Sequence, residues 1–186
     1  MKKIIEDIFN SEDFISSKEN FLSEKDFQFN LARMLELKGC KNIILEYPID
    51  TEKYNNTNVF RGKNAYIDIY YEHEDKKYYM ELKYKTKKLI TKRHNLETDF
   101  ELKNHYAHND NIRLIDKDIC RLEKIIQTEE HTSCIGYVLL LTNDNFYHEN
   151  MNAIIKNRYS VTLEEFNNHA PFEYLLIEIT NNKEQM

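Results

Sequence analysis

A chain of 186 residues with 41% hydrophobic content can close one core with little left for a second, so a single domain over 1–186, its core at about 20–180, is expected. Thirteen Tyr and ten Phe against three Gly and two Pro exclude a disordered, collagen-like or turn-dense all-β chain and favour an α/β domain. A net charge of −6 excludes a uniformly basic protein but leaves room for a local basic surface, because phosphate binding depends on where cations cluster.

The opening Met1-Lys2-Lys3-Ile4-Ile5-Glu6-Asp7 interrupts its apolar residues with acids, and no run of 18 apolar residues follows. A soluble, cytoplasmic protein with no membrane partner is therefore expected. The first clear element is a helix over about 24–38. Ser23 is a suitable N-cap with Asp26 three residues on, Leu22 and Phe27 stand where a hydrophobic staple would form, and Phe27, Leu31, Met34 and Leu35 recur on one face before Gly39.

The period then changes to two. Ile43 to Ile49 and Ala65 to Tyr71 read as strands, the charged segment Glu72 to Lys77 as a turn, and Tyr78 to Tyr84 as the returning strand of a hairpin. Ile112, Ile115, Ile119, Leu122 and Ile126 mark an amphipathic helix, Ile135 to Leu141 a buried apolar strand, Met151 to Lys156 a further helix and Tyr174 to Ile179 a last strand. The order α-β-β-β-α-β-α-β predicts a mixed sheet with helices on both faces. Only Tyr54 to Asn58 and the tail from Asn181 to Met186 read as loose. Cys40, Cys120 and Cys134 are odd in number and far apart, which predicts reduced, mostly buried thiols.

Chemistry concentrates on the hairpin. Five acid-x-Lys triplets occur, at 36–38, 74–76, 75–77, 81–83 and 101–103, so the triplet alone carries nothing. Glu81-Leu82-Lys83 differs in lying within a predicted strand, where Glu81 and Lys83 share one face. The partner strand supplies Asp68, an isolated acid between Ile67 and Ile69. Two carboxylates on adjacent strands raise each other's proton affinity unless a cation intervenes. Oxygen ligands favour a hard divalent ion, Mg²⁺ or Mn²⁺, which lowers the pKa of a bound water and offsets transition-state charge, while Lys83 orients the water or stabilises developing negative charge. The bland alternative is a cross-strand Asp68–Lys83 ion pair with Glu81 exposed.

Between 83 and 93 the chain carries Lys83, Lys85, Lys87, Lys88, Lys92 and Arg93 and no acid, a candidate phosphate-binding stretch set against a merely solvated basic face. His105 and His108, at i and i+3, read as solvent- or substrate-facing residues that contact nucleic acid, with a zinc pair as the lesser alternative. Asp116, Asp118, Asn143 and Asp144 read as polar residues of a helix face and a strand end.

The string Ser23-Glu24-Lys25-Asp26-Phe27 opening a helix, then Tyr66-Ile67-Asp68-Ile69, then Met80-Glu81-Leu82-Lys83-Tyr84-Lys85, resembles the PD-(D/E)XK nuclease superfamily. Phe100 to Ala107, Lys117 to Glu123 and Leu140 to Asp144 resemble a bacterial subgroup of restriction-endonuclease-like proteins, extending the likeness over roughly 20–148. Ile67 stands where proline is frequent, and Tyr106 where a small residue is expected. The resemblance implies a three-layer α-β-α restriction-endonuclease-like fold and metal-dependent nucleic-acid cleavage. Asp68 and Glu81 would be metal ligands, Lys83 the catalytic lysine and Glu24 an auxiliary ligand. The expectation is a Mg²⁺- or Mn²⁺-dependent nuclease acting on DNA in defence, restriction or repair, as a homodimer or with a separate specificity subunit. Two alternatives stand beside it: a catalytically silent module binding nucleic acid or a protein, and a hydrolase of small phosphodiesters.

Overall fold

The computed structural model describes residues 2–11, 21–54, 60, 64–91, 99–129, 133–155, 161–166 and 172–181. Helix α1 (Lys2–Phe9) buries Ile5, Ile8 and Phe9. Helix α2 (Glu24–Leu37) starts as its sequence requires: the Ser23 hydroxyl accepts from the Asp26 amide at 3.1 Å, and the Asp26 carboxylate accepts from the Leu22 amide at 3.0 Å. The staple differs from expectation. Phe21, not Leu22, packs on Phe27, with ring centroids 5.1 Å apart, because Leu22 faces outward, 41% exposed. Gly39, at φ 85°, closes the helix with the Gly39 amide on Glu36 O and the Cys40 amide on Leu35 O, a Schellman ending.

The strands are β1 (Lys41–Asp50), β2 (Asn64–His73), β3 (Lys76–Lys85), β4 (Leu89–Thr91), β5 (Phe100–Leu102), β6 (Cys134–Thr142), β7 (Val161–Phe166) and β8 (Glu173–Ile179), with α3 (His108–Thr128) before β6 and α4 (Asn145–Ile155) after it. Six of them form one sheet in the order β1-β2-β3-β6-β8-β7, with β4 and β5 a separate antiparallel pair. Among the described strands of this sheet only β3 and β6 run parallel, joined by a crossover through α3, and the other neighbours are antiparallel. The expected turn of six residues narrows to Glu74 and Asp75, both at positive φ (48° and 60°), as a two-residue hairpin turn requires.

Two cores flank the sheet. Ile8, Phe27 and Leu31 from α1 and α2 pack with Met80, Leu82 and Leu139 on one face. Ile115, Ile119 and Leu122 from α3 and Met151 from α4 pack with Val138, Leu140 and Ile177 on the other. The chain is thus mixed α/β with a mixed sheet between helices. Gly136 lets α3 approach β6 closely, since a Cβ there would stand 3.2 Å from Leu122 Cβ and 3.4 Å from Ile179 Cβ.

The chain holds elements that its periodicity did not announce: α1, the β4–β5 pair and the edge strand β7. Tyr54, expected to be loose, is buried and stacked on Phe60 at 5.4 Å. Asn55 to Asn58, the tail from residue 182 and Lys156 lie outside the described residues. The three cysteines form no disulfide with one another, Cys40 and Cys134 are buried, and burial pushes Cys40 up to about 11. Among the described residues no helix is long and apolar enough to cross a membrane.

Candidate active site

The site forms where β2 leaves β3. Their ladder runs from His73↔Lys76 to Ile69↔Met80 and stops; continuing that register would place Asp68 opposite Glu81. Across the same point β2 turns its faces over, with Ala65 and Ile67 in the core beneath α3 and Ile69 and Tyr71 in the core beneath α2. The parting strands leave β3 amides without a main-chain partner in β2, and unpaired buried amides are costly. Acids take them. Asp68 Oδ2 accepts from the Leu82 amide at 2.7 Å and Glu24 Oε2, from the first turn of α2, accepts from the Tyr84 amide at 2.9 Å. The hairpin acid and the helix acid are therefore drawn to successive donors along one strand edge.

Gln28, one turn beyond Glu24 and buried, donates through its amide to Asp68 O and to Glu46 Oε1. Glu46 lies on β1 at φ 52°, a left-handed backbone that a non-glycine residue adopts only under constraint, and also accepts from Lys25. Neither Gln28 nor Glu46 was singled out from the sequence. A buried amide four residues after Glu24 was the available signal.

Glu81 and Lys83 project together toward α3, as the strand period predicts, and meet Asp118 and Arg121. Lys83 Nζ stands 2.6 Å from Asp118 Oδ2 and donates to Leu82 O at 2.9 Å. Arg121 Nη2 stands 2.7 Å from Glu81 Oε1 and 2.6 Å from Asp118 Oδ1. Both parts of the bland alternative fail. Lys83 pairs with Asp118 rather than Asp68, and Glu81 is 2% exposed rather than a surface acid. Asp118, taken as an ordinary helix-face residue, is 7% exposed and joins the cluster. Its signal was its place between Ile115 and Leu122 within the apolar stripe of α3, where a carboxylate needs a partner.

Burial pushes Glu81 well above the usual carboxylate range; Asp68 and Asp118 add to the rise, and Arg121 and Lys83 oppose it. Burial also raises Asp68, with Glu24 and Glu46 adding and Lys83 and the Leu82 amide opposing. At Lys83 burial disfavours the charge, yet Asp118, Glu81 and Asp68 outweigh it and raise the pKa. The cluster is short of complementary contacts: Glu81 Oε1, Asp118 Oδ2 and Arg121 Nε are buried with no hydrogen-bond partner among the described residues. The Glu81–Arg121 and Lys83–Asp118 ion pairs, at 2.7 Å and 2.6 Å, offset the charge of these acids.

As they stand, no three of His, Cys, Asp and Glu among the described residues converge on one metal position. The donor chemistry nevertheless suits a hard divalent ion. Asp68 and Glu81 are oxygen donors of raised proton affinity, and a divalent ion on Glu81 would have to displace Arg121, which now stands 2.7 Å from its Oε1. Beside these acids lies a cleft of about 260 Å³ walled by Lys83, Lys85, Lys117 and Arg121, with Glu24 and Asp118. Burial lowers the Lys85 pKa, with Glu24 opposing.

The rest of the basic stretch divides. Lys87 pairs with Asp144 at 2.9 Å and Lys88 with Glu101 at 2.8 Å; Lys92 and Arg93 lie outside the described residues. The two histidines do not share a helix face. His105 precedes α3 and accepts the Thr86 amide at Nδ1, 3.0 Å, whereas His108 opens α3, stacks on Phe146 at 4.1 Å and places Nε2 2.8 Å from Asp144 Oδ2. Asp144 in turn caps α4 through the Phe146 amide at 3.0 Å. His108 is thus tied to α4 through Asp144 and Phe146, and His105 to the residue after β3 through Thr86. Asn143 Oδ1 accepts from the Lys87 amide at 2.6 Å. Compared with models of protein families, with curated proteins and with solved structures, the chain finds no match.

Proposed function

We propose that the chain is a metal-dependent nuclease that hydrolyses phosphodiester bonds in DNA, with a restriction-endonuclease-like fold of PD-(D/E)XK type. One observation carries the reading: Asp68, just past the end of the β2–β3 ladder, lies close enough to the buried Glu81 to raise its proton affinity, with Lys83 on the same face as Glu81 and lining a four-cation cleft. Such a site sets acids that need a cation beside cations that suit an anion, the combination a phosphodiester and its hydrolysis require.

Asp68 and Glu81 would hold Mg²⁺ or Mn²⁺, with Glu24 as an auxiliary ligand. When bound, the ion supplies charge neutralisation at phosphate and a water of lowered pKa. The chain's own groups do the rest. Lys83, kept charged by Asp118, Glu81 and Asp68, stabilises negative charge developing on the phosphoryl oxygens. Lys85 and Lys117 position the flanking phosphates, and Arg121 holds Glu81 and Asp118 in place. DNA over RNA and a role in defence, restriction or repair belong to the proposal, as do a homodimer or a separate specificity subunit.

A second reading has its own support. Lys83 and Glu81 are already engaged by Asp118 and Arg121, as they would be in a silent module that binds nucleic acid without cutting it. Linear, supercoiled and branched DNA, and RNA, incubated with the protein in Mg²⁺, Mn²⁺ or EDTA, separate the two. Cutting of DNA that EDTA abolishes is expected; binding without cutting in either metal supports the silent module.

A further inference from the structure

Beside the cationic cleft opens a larger cavity of about 720 Å³, and the two share Glu24 and Lys85 as a common wall. A phosphate would leave most of this volume empty, since cavities of roughly 300–1,000 Å³ suit an organic ligand. Its lining is of a different kind from that of the cleft. Leu22, Tyr84, Phe100 and Leu102 supply apolar and aromatic surface, and Lys103 and His105 supply polar groups.

The hydrogen bonding of His105 fixes what it offers. Nδ1 accepts the Thr86 amide, and the Thr86 hydroxyl donates to Lys103 O at 2.7 Å, so it has no proton to give the ring. Burial and the nearby Lys85 lower the His105 pKa. The neutral ring then carries its proton on Nε2, a donor with no acceptor among the described residues.

We propose that this cavity receives an unstacked base of a single DNA strand whose neighbouring phosphate lies in the cationic cleft, so that the protein engages strand ends or unpaired segments in preference to closed duplex. The proposal rests on the nuclease reading for the identity of the polymer. Charge and shape support it together: a nucleotide is an anion joined to a flat, largely apolar ring, and the two adjoining compartments match those parts. Aromatic side chains such as Phe100 accept any base by stacking, and the His105 Nε2–H can donate to a ring nitrogen or carbonyl. A base within an intact duplex reaches such a cavity only after unstacking, which costs a few kcal/mol.

The test is fluorescence anisotropy of the full-length chain in EDTA, where no cutting occurs. The probes are a labelled 12-nucleotide DNA strand, the same strand with one abasic position moved along it, and the blunt duplex of the same sequence. The single strand is expected to bind at least about tenfold tighter than the duplex, and one abasic position to cost about tenfold, the scale of base–aromatic stacking. Phe100→Ala should remove the abasic sensitivity; should that variant not fold, the wild-type abasic scan decides alone. Equal affinity at every abasic position, with Mn²⁺-dependent cutting of the duplex intact, overturns the cavity proposal and leaves the nuclease reading standing. Neither binding nor cutting of any DNA overturns both.

Discussion

The guanidinium of Arg121 lies 2.7 Å from the carboxylate of Glu81, a contact between α3 and β3 in which both side chains are nearly enclosed. The same guanidinium reaches Asp118, so one cation serves two acids in a region from which water is largely excluded.

Removing that cation strands Glu81. Arg121→Ala is expected to destabilise the fold by about 3–5 kcal/mol, the cost of leaving one partner of a buried pair. The double variant Arg121→Ala/Glu81→Gln should recover a substantial part, because the charge of Glu81 is then gone and Asp118 keeps Lys83 as its partner. Urea unfolding of the two single variants and the double variant measures the coupling, and strictly additive losses would show that the pair is not coupled.

Asp118 acts on Lys83 by contact, and its effect on cleavage should be partial. Asp118→Asn keeps the shape of the side chain and removes the charge 2.6 Å from Lys83 Nζ. Single-turnover cleavage is expected to fall by about 10–100-fold, the usual cost of losing a supporting charged partner, with the circular dichroism spectrum retained.

Gly136 tests the packing of α3 on β6. Gly136→Ala places a methyl 3.2 Å from Leu122 Cβ and 3.4 Å from Ile179 Cβ, atoms tied to their backbones that cannot swing aside. A loss of about 1–3 kcal/mol is expected from overpacking, read from the urea midpoint at unchanged slope.

The acid limb of stability should carry a contribution from Asp144. Burial favours its neutral form, but Lys87, the Phe146 amide and His108 outweigh burial and hold its pKa below the ordinary value. A carboxyl lowered in the folded state stabilises the fold above its unfolded pKa, and that contribution is lost as pH falls through the folded value. Asp144→Asn still caps α4 but carries no charge. It should lose about 1–2 kcal/mol at pH 7, typical of hydrogen bonds to a charged group, and the deficit should shrink as pH falls toward the folded value. Thermal melts between pH 3 and 7 read the difference, and a constant offset across that range would contradict it.

How much of this was legible in the sequence follows from how local each signal is. The run from Ser23 to Gly39 sets both ends of α2 through capping chemistry within a few residues, and the alternation around Glu81 and Lys83 puts them on one face. Short pieces escaped: β4 and β5 are three residues each, too short for a period to register. The partners of Lys83 and Glu81 escaped for another reason, since Asp118 and Arg121 reach them only through the packing of α3 on the sheet, a contact across more than thirty residues. Asp68 and Glu24 stand out in the sequence as an isolated acid within a strand and an acid in a first helical turn. Their hydrogen bonds to the Leu82 and Tyr84 amides depend on where β2 leaves β3, which no side-chain pattern announces. The contact of His108 with Asp144 is likewise one between residues distant in sequence.

The most direct measurement is single-turnover cleavage of a labelled DNA strand by wild type and Lys83→Ala at saturating Mn²⁺, with folding of both verified by circular dichroism. The expected result is metal-dependent cutting by the wild type and at least about 100-fold slower cutting by the variant, the scale of losing one preorganised charge at a transition state. Equal rates for the two proteins, or no cutting by a wild type that binds both Mn²⁺ and the strand, would contradict the assignment of Lys83 and its acids to phosphodiester hydrolysis.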